Sequence, residues 1–96
     1  MIIKDLSGIR IAYSEGNDIK NQLGIRIGYI DPYCIKDTYG NRIGYVEGKY
    51  IKKPDGVRIG YIDGSYIKNT SGIRIAYVEG KGGDILIAGL ALLTLL

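Results

Sequence analysis

The sequence predicts an all-β protein with one C-terminal helix: a closed five-fold ring or barrel of β-hairpins, about ten short antiparallel strands, around that helix. Three observations predict it. The segment Gly-x-Arg-Ile-Gly/Ala-Tyr occurs five times at a spacing of sixteen residues, from Gly8, Gly24, Gly40, Gly56 and Gly72. The chain holds 15 Gly and 9 Tyr but no Phe or Trp, a balance that suits strands and tight turns. Residues 85–96 carry no charge. A unit of sixteen residues cannot bury a core alone, so the copies must share one.

Residues 1–80 divide into five copies, 1–16, 17–32, 33–48, 49–64 and 65–80, and 81–96 stand outside the repeat. Each copy opens on an Ile-Lys pair. A four-residue polar stretch ending in Gly follows, such as Asp37-Thr38-Tyr39-Gly40 or Lys53-Pro54-Asp55-Gly56. That composition is a type I turn closed by a left-handed Gly, which forms a G1 bulge. Pro54 pre-sets φ at the second turn position. Each copy is therefore a hairpin. With Asp5 facing Ile9, Lys4 faces Arg10 and Ile3 faces Ile11. Alternation then sorts Ile3, Ile9, Ile11 and Tyr13 to a core face, and Lys4, Arg10 and Ala12 to the exterior. A loop of odd length, three residues, at Glu15-Gly16 and its equivalents keeps that sorting from hairpin to hairpin. Pro32 takes the place of the Gly there and cannot adopt positive φ, so the turn between copies two and three must differ.

A stacked coil with one copy per rung is the rival architecture. It would set Arg10, Arg26, Arg42, Arg58 and Arg74 in a ladder at about 4.8 Å. Like charges directly opposite one another are destabilising. In the ring, equivalent residues are about 9–10 Å apart, near the Debye length at physiological salt. The charges favour the ring, and closure also removes exposed strand edges.

In the tail, Gly82-Gly83 reads as a hinge and Asp84 as the helix N-cap. A helix apolar on all sides must be buried in protein or lipid. At twelve residues it is about 18 Å long, short of an ordinary membrane span. The reading preferred is a plug in the barrel centre, making one domain. Insertion into a membrane surface and pairing with another copy's tail are the alternatives.

The hairpin repeat, as in Gly40-Asn41-Arg42-Ile43-Gly44-Tyr45-Val46-Glu47-Gly48, resembles the five-fold β-flower proteins of bacteria and archaea, over about residues 1–80. The resemblance implies a ring of hairpin petals and brings no activity with it. The arrangement is also similar in architecture to the tubby-like barrel, but no tubby motif is present and no residue's role carries over.

Chemistry is sparse. There is no His, so the usual general base and metal ligand are missing. Cys34 is the single cysteine and reads as a packing residue. No Gly-rich phosphate loop leads into a helix. The acids Glu15, Asp31, Glu47, Asp63 and Glu79 recur at equivalent turns, either solvated, partnered by Arg or forming a cation ring. Tyr13, Tyr29, Tyr45, Tyr61 and Tyr77 read as the rim of the core, and Tyr33, Tyr50 and Tyr66 as exposed. The chain's 13 Lys and Arg against 10 Asp and Glu give +3, too little for a dedicated nucleic-acid binder. The one candidate site is an anion-binding belt of Arg10, Arg26, Arg42, Arg58 and Arg74. The expectation is a non-enzymatic structural or binding module with no catalytic, cofactor or metal residues. Its candidate partners are a second copy or an anionic surface. The alternative is association with a membrane surface or anionic lipid through the Arg/Lys belt and the apolar tail. The N-terminus has no basic segment followed by a long apolar run, so the expected location is cytoplasmic, or membrane-peripheral in the alternative reading.

Overall fold

Asp5, Asn21, Asp37 and Asn69 begin the four turns in which one side chain does most of the local work. In the computed structural model, which describes residues 1–96, the Asp5 Oδ1 accepts the amides of Ser7 and Ile9, both at 2.9 Å. Asn21, Asp37 and Asn69 repeat the pattern. In copy four Lys53 holds that position, and Asp55 accepts the Val57 amide instead. The amide of each closing Gly donates to the carbonyl three residues earlier, as in Gly8 to Asp5 at 3.0 Å. Gly8, Gly24, Gly40, Gly56 and Gly72 all have positive φ, from 79° to 90°. This is the type I turn with left-handed Gly that the composition predicts.

These turns join short strands to long ones. The strands are β1 (Ile2–Lys4), β2 (Arg10–Glu15), β3 (Asp18–Asn21), β4 (Arg26–Asp31), β5 (Cys34–Asp37), β6 (Arg42–Glu47), β7 (Tyr50–Lys52), β8 (Arg58–Asp63), β9 (Tyr66–Lys68) and β10 (Arg74–Glu79). Every strand is antiparallel to both neighbours, and β1 pairs with β10 to close the barrel. The fold class read from the repeat is the observed one.

The register departs from expectation within each hairpin. Lys4 faces Arg10 as predicted, but Ile3 faces Ala12, and Ile11 is left over as a second bulge. The other four hairpins shift at the same place. One extra residue inverts the parity of everything beyond it. Ala12 is therefore fully buried instead of exterior, and Tyr13 moves to the outer face. Ile11 packs against the core as expected, whereas Ile9, on the turn side of the bulge, is 63% exposed because it stands in the turn at the barrel mouth. The same inversion removes the need for an odd second loop. Glu15 pairs with Asp18, so that loop is two residues, Gly16-Asn17. Gly16, Gly48 and Gly64 have φ near 60° with no positive φ at the residue after them, the type II′ pattern. Pro32-Tyr33 has no positive φ at either position, so that turn does differ.

The core is built in rings. Ile3, Ile19, Ile35, Ile51 and Ile67 are all fully buried, each worth about 1.5–3 kcal/mol against exposure. Ala12, Gly28, Gly44, Gly60 and Ala76 make a second buried ring facing them. The helix α1 (Asp84–Thr94) packs inside, with Leu90, Ala88 and Ala91 fully buried in the same cluster as the isoleucines. Its eleven residues give about 16 Å of length, which matches the 19 Å short dimension of a 31 × 30 × 19 Å molecule. Its N-cap is Gly83, without a side-chain cap bond, rather than Asp84. Asp84 lies in the first turn and pairs with Lys49 at 3.0 Å, a favourable place for an acid at a helix start. Gly82 packs closely against Met1 and Leu86, where an added Cβ would lie 2.7 Å from the Met1 Cε. No helix is long and apolar enough to cross a membrane.

Candidate functional site: the outer wall

Because the inner face is filled, the side chains able to meet a partner stand on the outside of the wall. The five belt residues, Arg10, Arg26, Arg42, Arg58 and Arg74, each open a long strand and are exposed. Each has a Lys as its cross-strand neighbour, as in Lys4–Arg10 and Lys20–Arg26. The repulsion this implies is relieved because each Lys turns away along the wall. Lys20, Lys36, Lys52 and Lys68 pair with Glu15, Asp31, Glu47 and Asp63 at 2.6–2.9 Å. Lys4 pairs with Glu79 at 3.1 Å and completes the ring across the β1–β10 seam. The turn acids are thus partnered by Lys, not Arg. Hydrogen bonds to these acids raise the pKa of Lys20, Lys36 and Lys68, and the matching bonds from Lys52 and Lys68 lower those of Glu47 and Asp63. No group of three or more Asp, Glu, Cys or His is placed to hold a metal ion.

Aromatic rings hold most of the guanidinium groups. Arg10 and Arg26 lie 4.7 and 4.5 Å from the ring centroids of Tyr13 and Tyr29. Arg26 also pairs with Asp18 at 2.9 Å. Arg58 and Arg74 lie 3.7 and 3.9 Å from the centroids of Tyr50 and Tyr66. Tyr50 and Tyr66 in turn tilt against Tyr61 and Tyr77 with centroids 6.3 Å apart. The hydroxyls of Tyr13, Tyr29, Tyr45, Tyr61 and Tyr77 reach the turn glycine of the neighbouring copy, and Tyr77 reaches back to Gly8. These tyrosines are outer-wall residues bracing copy against copy, and not the core rim that simple alternation suggests. The sequence signal for this lay in the Tyr–Gly spacing of eleven residues, but it is readable only once the bulge is known.

The two mouths of the barrel differ in chemistry. One mouth carries the type I turns, with Leu23 79%, Ile9 63%, Ile73 61%, Ile25 58% and Val57 52% exposed beside the five Arg. Its acids are engaged locally: Asp5, Asp37 and Asp55 accept turn amides. The Asn41 amide foremost holds the Asp37 carboxyl below its ordinary pKa. The other mouth carries Glu15, Asp31, Glu47, Asp63, Glu79 and the Asp84 helix start. The two ends therefore differ in charge and in exposed apolar surface, which neither composition nor net charge conveys.

No curated protein and no solved structure matches the chain. A family profile described as "5-fold beta-flower protein" matches residues 1–90, which covers all five hairpins and the helix as far as Leu90. A ring of five hairpins, closed at β1–β10, is what that description requires, and the chain belongs to the 5-fold beta-flower family.

Proposed function

We propose that the protein is a non-enzymatic binding module that meets its ligand with its outer wall. The supporting observation is the state of the interior: helix α1 occupies it, and no polar or charged residue is buried there. An apolar interior without a polar group offers neither a general acid or base nor an anchor for a polar ligand. The outer wall offers both charge and aromatic faces, with the Arg belt as its anion-reading part. The test is a ¹H–¹⁵N NMR titration of the full chain with a panel of small anions and planar aromatics, followed by mass spectrometry of the panel. Shifts are expected at outer-facing strand residues, with every compound recovered unchanged. Turnover of any compound, or shifts confined to residues 85–96, overturns the reading.

A second reading, association with an anionic membrane surface, draws support from the apolar turns beside the Arg belt. The tail is packed inside the barrel, so the turns and not the helix would enter the interface. Sedimentation with phosphatidylserine-containing vesicles, compared with phosphatidylcholine alone, tests it. Binding should require phosphatidylserine, weaken with salt and fall when Ile9, Ile25, Val57 and Ile73 are changed to Ser. Equal or absent sedimentation on both lipids removes this reading and leaves the first intact.

A further inference from the structure

The copies of a repeat are controls for one another, and one copy leaves its Arg without a partner. The second residue of each hairpin stands beside the belt: Ile2, Asp18, Cys34, Tyr50 and Tyr66. In copies four and five a Tyr ring lies there, and the guanidinium stacks on it at 3.7 and 3.9 Å. In copy two Asp18 takes the charge of Arg26 at 2.9 Å. In copy one Arg10 folds onto Tyr13 at 4.7 Å. Arg42 alone has neither an aromatic face nor an ion pair: Cys34 occupies the position, and Arg42 does not fold onto Tyr45 as Arg10 folds onto Tyr13.

A cleft of about 280 Å³ opens at that place, lined by Arg42, Tyr45, Cys34, Pro32, Pro54 and the exposed Tyr33. The chain has two prolines, and both stand here. Pro32 replaces the turn glycine of other copies, and Pro54 is the only Pro among the type I turns. The departures from the repeat thus gather around one cleft. Copy four has the equivalent cleft, about 260 Å³ between Arg58 and Tyr61, but the Tyr50 ring already forms part of it beneath the guanidinium.

We propose that the Cys34–Arg42–Tyr45 cleft binds a small planar aromatic anion, its ring beneath Arg42 where copies four and five carry Tyr50 and Tyr66. The proposal rests on the outer-wall reading above and names its ligand class. The ring gains a cation–π contact with Arg42 and a tilted contact with Tyr45, as Tyr50 has with Arg58 and Tyr61. The negative charge answers the unpaired guanidinium. Asp31, at the cleft's edge, does not neutralise Arg42, because its carboxylate is held by Lys36 at 2.7 Å. The prolines give walls of restricted backbone, which lowers the ordering cost of binding.

The probe is 4-hydroxybenzoate, with p-cresol as its neutral counterpart. Binding is read by ¹H–¹⁵N NMR and by the alkylation rate of Cys34, the chain's single thiol. With the wild type, shifts are expected at residues 33, 34, 42 and 45, and alkylation should slow. Cys34→Tyr installs the ring that copies four and five accommodate, so the variant should fold and lose the site. Arg42→Gln should weaken 4-hydroxybenzoate about tenfold or more and p-cresol less. The proposal is overturned if Cys34→Tyr binds as the wild type does, or if no shift appears by about 10 mM probe, weaker than any useful affinity. Shifts elsewhere on the outer strands remove this cleft but spare the outer-wall reading. Shifts confined to α1 remove both.

Discussion

Five equivalent positions face the helix from the long strands, and they divide into two arcs. On β4, β6 and β8 the residue is Gly28, Gly44 or Gly60, while on β2 and β10 it is Ala12 or Ala76. Carbonyls of the next short strand and leucines near the chain's end together explain the division: an added Cβ would meet the Lys36, Lys52 and Lys68 oxygens at 2.5, 2.5 and 2.9 Å, and the leucines fill the same space from inside. An added Cβ at Gly28 would lie 2.5 Å from a Leu93 Cδ, at Gly44 2.6 Å from a Leu92 Cδ, and at Gly60 3.2 Å from a Leu96 Cδ. The alanines have room for their methyl groups and are fully buried. A five-fold wall advances 72° per copy, whereas a helix advances about 100° per residue. One helix cannot present the same side chain to all five copies. The wall gives up its symmetry at the contact layer, with three copies yielding volume to leucines and two filling it themselves.

The largest effect should come from breaking both arcs at once. Leu90 is fully buried, so Leu90→Asp places an unpaired charge in an apolar core and should cost about 4 kcal/mol or prevent folding. An unchanged melting temperature would show that the helix does not hold the barrel. Next come the glycines. Gly44→Ala should cost about 1–3 kcal/mol in denaturant unfolding through overpacking, because the new Cβ also meets the Lys52 carbonyl at 2.5 Å. Gly60→Ala should cost less, since its nearest contacts are 2.9 and 3.2 Å. Equal losses at the two sites would contradict this ranking of contacts. On the other arc, Ala12→Gly removes one buried methyl and adds backbone freedom, for about 1 kcal/mol. Combining Ala12→Gly with Gly44→Ala should not restore stability if the arcs are fixed by where the leucines point.

The smallest effects belong to the Lys–carboxylate ring, which serves both arcs alike. Glu15→Gln and Glu47→Gln should have matching, slight effects, because exposed pairs contribute little. Their pH dependence has a defined sign. The depressed pKa values of Glu47 and Asp63 give stability that is present above the ordinary carboxylate range and lost as pH falls through the folded values. The raised values of Lys20, Lys36 and Lys68 give stability that is full below the ordinary Lys pKa and lost as pH rises through the folded values. Melting temperature should therefore be flat between about pH 5 and pH 10, with shallow losses outside. A steep change near pH 7 would contradict this, since the chain has no His.

Much of the fold was legible because turn chemistry is local. Asp37-Thr38-Tyr39-Gly40 names its own turn, and Pro32 marks the one second loop that had to differ. The sorting of faces was not legible. A bulge at Ile11 leaves no signature in composition, since Ile there suits either a paired or an extra residue. With that one residue uncounted, Ala12 and Tyr13 fall on the wrong side, while Ile9 is exposed for a different reason, its place in the turn at the barrel mouth. The candidate belt was visible as five repeated Arg, yet its unequal members were not. Distinguishing Arg42 from Arg58 requires knowing that Cys34 and Tyr50 stand beside them across the hairpin.

The repeat, the hairpins, the closed ring and the apolar tail follow from the residues alone, through short-range φ preferences, spacing and like-charge repulsion. Tertiary structure decided the parity of the wall, the Gly and Ala arcs, the outward tyrosines and the isolation of Arg42. The reason is that these depend on which residue is left unpaired at a bulge and on how a helix without five-fold symmetry sits inside a wall that has it.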